Sequence, residues 1–116
     1  MEVWFNPGCS KCRVSTELLD ELGVDYTIRR YLDDPPNRAE LQRVLDQLGV
    51  EPWDITRLQE PVAKELDLDA WPRERDRWID VLVEHPILIQ RPIILADDGR
   101  AVVGRDPETV REIARD

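Results

Sequence analysis

Cys9 and Cys12 are the only two cysteines in this 116-residue chain, and they stand in the stretch Asn6-Pro7-Gly8-Cys9-Ser10-Lys11-Cys12-Arg13. On a helix that spacing is about one turn, which brings two sulfurs within bonding reach. The thiolate is the reactive form of cysteine. A helix N-terminus favours it through free backbone N–H groups and the positive end of the helix dipole. The chemistry open to these residues is nucleophilic attack by Cys9, with Cys12 as a resolving thiol. The competing reading, a pair of buried inert thiols, fits poorly with a Pro-Gly turn directly before Cys9. Lys11 and Arg13 add cations that either face solvent or support the thiolate. A zinc site would want four ligands, and two Cys with one His do not supply them, so no metal is expected.

The elements that must hold this pair follow from the pattern around it. The apolar run Val3-Trp4-Phe5 reads as a strand over residues 2–5, which delivers Cys9 to the start of a helix over 10–22. That helix carries Val14, Leu18, Leu19 and Leu22 at helical spacing, and Gly23 stops it. Residues 24–31 alternate as a second strand, and a strand–helix–strand unit of this size favours parallel pairing. Asp33-Asp34-Pro35-Pro36-Asn37 is a turn that ends in an N-cap. Helical patterns then cover 39–48, 59–66 and 73–84, with a short turn of helix at 52–55. The stretch 36–86 is too long for a simple connection and is expected to form a helical insertion beside the sheet, within one domain spanning 1–116.

The apolar run from Ile87 to Ala96 reads as a strand, interrupted by Pro92. That proline is either a cis bend before the strand, facing the cysteine loop, or a trans residue on an edge strand. Asp97-Asp98-Gly99-Arg100 signals a hairpin into a returning strand at 101–103. Pro107 and Glu108 mark the start of a last helix over 107–114. The order β-α-β, helical insertion, β-β-α is an α/β fold with the thioredoxin-like topology and a mixed four-stranded sheet.

A net charge of −9 argues against general nucleic-acid binding and implies that an anionic substrate would need a local cluster of arginines. Lys11 and Lys64 are the only lysines, and the remaining 14 of the 16 basic residues are arginine, the better residue for gripping oxyanions. Nothing reads as a signal peptide or as a run of membrane length, so the expectation is a cytoplasmic protein that contacts no membrane. In a reducing compartment a close cysteine pair points to redox chemistry rather than to a structural crosslink.

Five blocks carry a resemblance along nearly the whole chain. They are Asn6-Pro-x-Cys-Ser, Tyr31-Leu-Asp-Asp-Pro-Pro, Thr56-Arg57 with Glu60, the run from His85-Pro86 to Arg91-Pro92-Ile, and Gly104-Arg105-x-Pro107-Glu108. Together they resemble the glutaredoxin-linked arsenate reductases (the ArsC family) and their Spx-type relatives. The resemblance implies that Cys9 attacks arsenate or a similar oxyanion and that Arg57, Arg91 and Arg105 hold it. It also implies that glutathione with glutaredoxin, or a thioredoxin, supplies electrons without a bound cofactor. Asn6 is expected to shape the loop or bond the thiolate, and Ser10 to cap the helix or donate to the oxyanion. Pro92 is expected to be structural at the site. Cys12 departs from the glutathione-using reductases and matches the Cys-x-x-Cys switch of the Spx-type regulators, which contact RNA polymerase. Phe5 stands where some reductases place a His. The expected function is arsenate reduction by a monomer. The alternatives are a redox-switch regulator that binds the RNA polymerase α subunit through a Cys9–Cys12 disulfide, and a general dithiol oxidoreductase.

Overall fold

The computed structural model describes residues 1–115. Its element order is β1 (Glu2–Trp4), α1 (Ser10–Glu21), β2 (Thr27–Arg29), α2 (Arg38–Leu48), α3 (Pro61–Glu65), α4 (Arg75–Glu84), β3 (Ile93–Leu95), β4 (Ala101–Val103) and α5 (Pro107–Ala114). Short 3-10 turns lie at Pro52–Ile55, Leu68–Ala70 and Pro86–Leu88. By contacts the chain forms two compact units. One is Met1–Asp34 with the chain from Arg91 onward, and the other is Pro35–Gln90. Among the described residues no helix is long and apolar enough to cross a membrane.

The first unit is built on a four-stranded sheet in the order β2-β1-β3-β4. β1 pairs parallel with β2 (Val3 opposite Ile28) and antiparallel with β3 (Val3 opposite Ile94), so the sheet is mixed, as expected. β3 and β4 form the expected hairpin, and Gly99 at φ 92° takes a left-handed turn position that costs a side chain dearly. Val3 and Ile94 meet Leu19 of α1 with Val110 and Ile113 of α5 in one buried cluster of the unit. Burying each large aliphatic side chain contributes about 1.5–3 kcal/mol. β2 covers only three residues of the expected 24–31, and Ile28 is exposed rather than inward, because β2 is an edge strand.

Helix α1 also turns a different face inward from the one its aliphatic residues suggest. Cys12, Ser15, Thr16 and Leu19 are buried, whereas Val14 is 51% and Leu22 45% exposed. The small residues allow close approach. Ser15 Oγ donates to the Gly104 carbonyl at 3.2 Å, and Thr16 Oγ1 donates back to the Cys12 carbonyl at 3.2 Å. Buried polar groups are tolerated when bonded in this way.

The second unit packs α2 with α4 through Leu41, Val44 and Leu45 on one side and Trp78, Ile79 and Leu82 on the other. Asn37 and Glu40 form a capping box, and Gly49 ends α2 at φ 70°. Trp53 and Trp71 both pack edge-on against Trp78, at 6.1 and 6.0 Å. The strand read across residues 87–96 is split. Residues 86–88 make a 3-10 turn, Ile89 bridges Thr56 within the second unit, and only Ile93–Leu95 join the sheet of the first. Pro86 and Pro92 lack the N–H groups that a continuous strand would use. The Arg91–Pro92 peptide is cis, the first of the two expected alternatives.

Candidate active site

The loop after β1 is braced by its own backbone. The Cys9 N–H donates to the Asn6 carbonyl at 3.0 Å, and the Gly8 N–H donates to Asn6 Oδ1 at 2.9 Å. Asn6 is buried, and its side-chain oxygen serves the loop rather than an open site. The turn sets Cys9 at the N-cap of α1, with φ −102° and ψ 118°, and no side chain caps the helix there. Ser10 is therefore not the cap; it is the first helical residue and is exposed. Because the Cys9 side chain sits where a capping oxygen normally would, its sulfur faces the free N–H groups of the first turn.

The consequence is two unlike thiols. Cys9 is partly exposed and Cys12 is fully buried. Burial pushes the Cys9 thiol up, but hydrogen bonds outweigh it and leave the group below the ordinary cysteine value. They come from the Cys12 N–H and thiol, the Arg91 guanidinium and the Lys11 N–H. Burial also pushes the Cys12 thiol up, to about 12, opposed by the Asn6 N–H and the Arg91 cation and reinforced by the charge on Cys9. Cys9 is thus the more readily ionised of the two, while Cys12 keeps its proton and donates to it.

Arg91 reaches Cys9 from the residue before Pro92, and the Pro92 carbonyl accepts from the Gly104 N–H at 2.8 Å. At Gly104 a side chain would meet Ile94 at 3.0 Å and Pro92 at 3.2 Å, so any larger residue must push these neighbours aside. Ser15 grips the carbonyl of the same glycine. The junction ties α1 to both the Arg91-Pro92 segment and the Arg105 loop. Neither Ser15 nor Gly104 was singled out as a positioning residue from the sequence; Ser15 at the helical spacing i, i+3 from Cys12 was the available signal.

Arg105 is exposed, and no ion pair joins it or Lys11 to another described residue. Both line a groove of about 100 Å³ between α1 and the start of α5, with Ser10, Val14, Leu18 and Pro107. Arg13 donates to the Pro7 carbonyl at 2.9 Å. Arg57 belongs to the second unit, where its Nε pairs with Glu60 at 3.1 Å and its N–H donates to the Leu88 carbonyl at 2.7 Å. Chemically, the first unit offers a thiol held below its ordinary value, a second thiol and a guanidinium bonded to it, and in Arg105 a cation with no ion pair to another described residue.

Comparison with known proteins gives a consistent result. The model of the ArsC family matches residues 4–113. An uncharacterized protein in the glnII region of Streptomyces viridochromogenes is 62% identical, over 97% of each chain. A protein named arsenate reductase from Neisseria meningitidis serogroup A is 35% identical, also over 97% of each. The structure titled arsenate reductase from Vibrio cholerae superposes with a TM-score of 0.89 at 39% identity, covering 97% of this chain and 98% of the other.

Proposed function

The chain belongs to the ArsC family, and on that footing we propose that it is a thiol-dependent oxidoreductase that reduces arsenate to arsenite through the Cys9 thiolate. The observation that carries this reading is the position of Cys9 at the N-cap of α1, where hydrogen bonds from the first-turn N–H groups and from Arg91 hold its thiol below the ordinary cysteine value. In the first step the thiolate attacks arsenic, an S–As bond forms, and one arsenic–oxygen bond breaks, its oxygen leaving as water after protonation. Arg91, Arg105, the Ser10 hydroxyl and the N–H groups of α1 hold the charge that builds on the remaining oxygens. Asn6 and Pro92 keep the loops in place. A role for Arg57 on the oxyanion rests on the sequence resemblance alone.

In the second step a thiol attacks Cys9 Sγ. The S–As electron pair stays on arsenic, which leaves as arsenite, and the two sulfurs end as a disulfide. Cys12 suits this role because the Cys9 charge helps to hold its proton, and bonding Cys9 to arsenic removes that charge. Glutathione with glutaredoxin, or a thioredoxin, then restores the thiols in a reducing compartment such as the cytoplasm.

Purified protein incubated with arsenate and either donor system is expected to release arsenite, and Cys9→Ser to abolish it. Turnover that survives in Cys12→Ser assigns the second step to an external thiol; loss in both variants assigns it to Cys12. No arsenite with either donor would sink the proposal.

A further inference from the structure

We propose that the groove beside Cys9 is the docking site for the protein dithiol that returns Cys9 to its reduced form, taking from it one apolar side chain flanked by a carboxylate. The inference rests on the thiol chemistry of Cys9 set out above. Ser10 and Lys11, the two residues after Cys9, line the groove, so it opens at the end of α1 that carries Cys9. The floor is apolar: Val14, half-exposed although it lies on the main helix of the unit, with Leu18, Pro107 and Val110. Single exposed valines are ordinary, but one set in an apolar hollow on the helix that begins at Cys9 is a place for a partner's side chain.

Size and charge identify the occupant. The groove holds about 100 Å³, whereas sites for free small molecules run from ~300 Å³ upward. It takes one aliphatic side chain, and that side chain must arrive on a larger body. Lys11 and Arg105 stand on its rim without ion pairs to described residues, although the chain carries a net charge of −9. Asp106, the acid on the same rim, is occupied in capping α5, accepting from the Thr109 N–H at 2.8 Å and its hydroxyl at 3.0 Å. The local field therefore favours a carboxylate beside the inserted side chain.

Burial directs the exchange. With Cys9 and Cys12 oxidised to a disulfide, the docked partner's thiolate attacks Cys9 Sγ, because Cys12 has no exposed surface. The Cys9–Cys12 bond breaks, and Cys12 leaves as a thiolate and takes up a proton. The partner's second thiol then attacks the partner sulfur of the mixed disulfide, and Cys9 leaves as a thiolate. Two electrons pass from the partner dithiol, which ends as a disulfide.

The test uses the full chain, oxidised with diamide and without arsenate, so it stands whether or not arsenate is reduced. Reduction by a bacterial thioredoxin and by dithiothreitol is followed by maleimide gel shift, with circular dichroism checking that each variant is folded. Val14→Glu is expected to slow thioredoxin by about tenfold and Val14→Ser by about threefold, with dithiothreitol unchanged within about twofold. Lys11→Gln is expected to slow thioredoxin by about threefold and to flatten its salt dependence. Equal slowing with both reductants, no slowing by Val14→Glu, or wild-type reduction by thioredoxin no faster than by dithiothreitol overturns the proposal. If no Cys9–Cys12 disulfide forms, the reading of Cys12 fails on its own. The same comparison is then run on Cys12→Ser chain carrying a methylthio group on Cys9, with the same outcomes deciding.

Discussion

Replacing Cys12 with alanine removes one identifiable stabiliser of the Cys9 thiolate, and the size of the effect follows from the geometry. The Cys12 thiol donates a hydrogen bond to Cys9, while the N–H groups of Cys12 and Lys11 and the Arg91 guanidinium supply the others. A hydrogen bond to a charged group is worth ~1.5–3 kcal/mol, and one pKa unit corresponds to ~1.4 kcal/mol. A thiol is a weak donor, which puts the expected rise in the Cys9 pKa near the low end, about one unit. Below that pKa the thiolate fraction of Cys9, and with it the rate of alkylation, should fall by about tenfold. The assay is the second-order rate of iodoacetamide reaction between pH 5 and 9.5, with mass spectrometry assigning the modified residue. Cys12→Ser, which keeps a donor, should shift Cys9 less than Cys12→Ala does. In the wild-type chain Cys12 should stay unmodified across this range, since burial holds its proton to about pH 12. An unchanged Cys9 profile in Cys12→Ala, or alkylation of Cys12 ahead of Cys9, would refute the division into thiolate and donor.

Arg91→Ala should raise the Cys9 pKa and weaken binding of sulfate or arsenate by at least about tenfold, measured by calorimetry; Arg91→Lys should fall between, keeping the charge but losing the planar fork. Gly104→Ala should destabilise the chain by about 1–3 kcal/mol in urea denaturation, because the new methyl meets Ile94 and Pro92 at 3.0 and 3.2 Å in a packed junction. Stability should also decline at alkaline pH through Cys12. Its folded pKa of about 12 lies above the ~8.5 of a free thiol, so its contribution is complete below pH ~8.5. As pH rises from there toward 12 the unfolded chain loses a proton that the folded chain keeps, at up to ~1.4 kcal/mol per pH unit. Thermal melts between pH 8.5 and 10.5 should therefore show a shallower decline for Cys12→Ala than for wild type; parallel declines would contradict it.

Much of this protein is written in short-range signals, and those were legible. Pro107 and Glu108 start α5 where the sequence put it, because a preset φ and an acidic first turn act on neighbouring backbone; the structure adds the Asp106 cap. Asn37, Gly49 and Gly99 work the same way. The order of strands and helices, the mixed sheet and the placing of Cys9 at a helix start followed from such signals together with hydrophobic period. Arg91 and Arg105 were named by resemblance, not by spacing, whereas Pro92 was read from its break in the apolar run.

What only the tertiary structure decided lies in contacts between distant parts of the chain. Ser15 and Gly104 are 89 residues apart in sequence, and no local pattern announces that one will hold the other. The inward face of α1 was set by the small residues that let it approach that junction, which left Val14 on the groove and Leu22 in solvent. The run from Ile87 to Ala96 is apolar throughout, yet its partners divide it, Ile89 to Thr56 and Ile93–Leu95 to the sheet. The unequal thiols arise in the same way. Residue type made Cys9 and Cys12 equivalent, and burial of one, with Arg91 brought to the other, made them different.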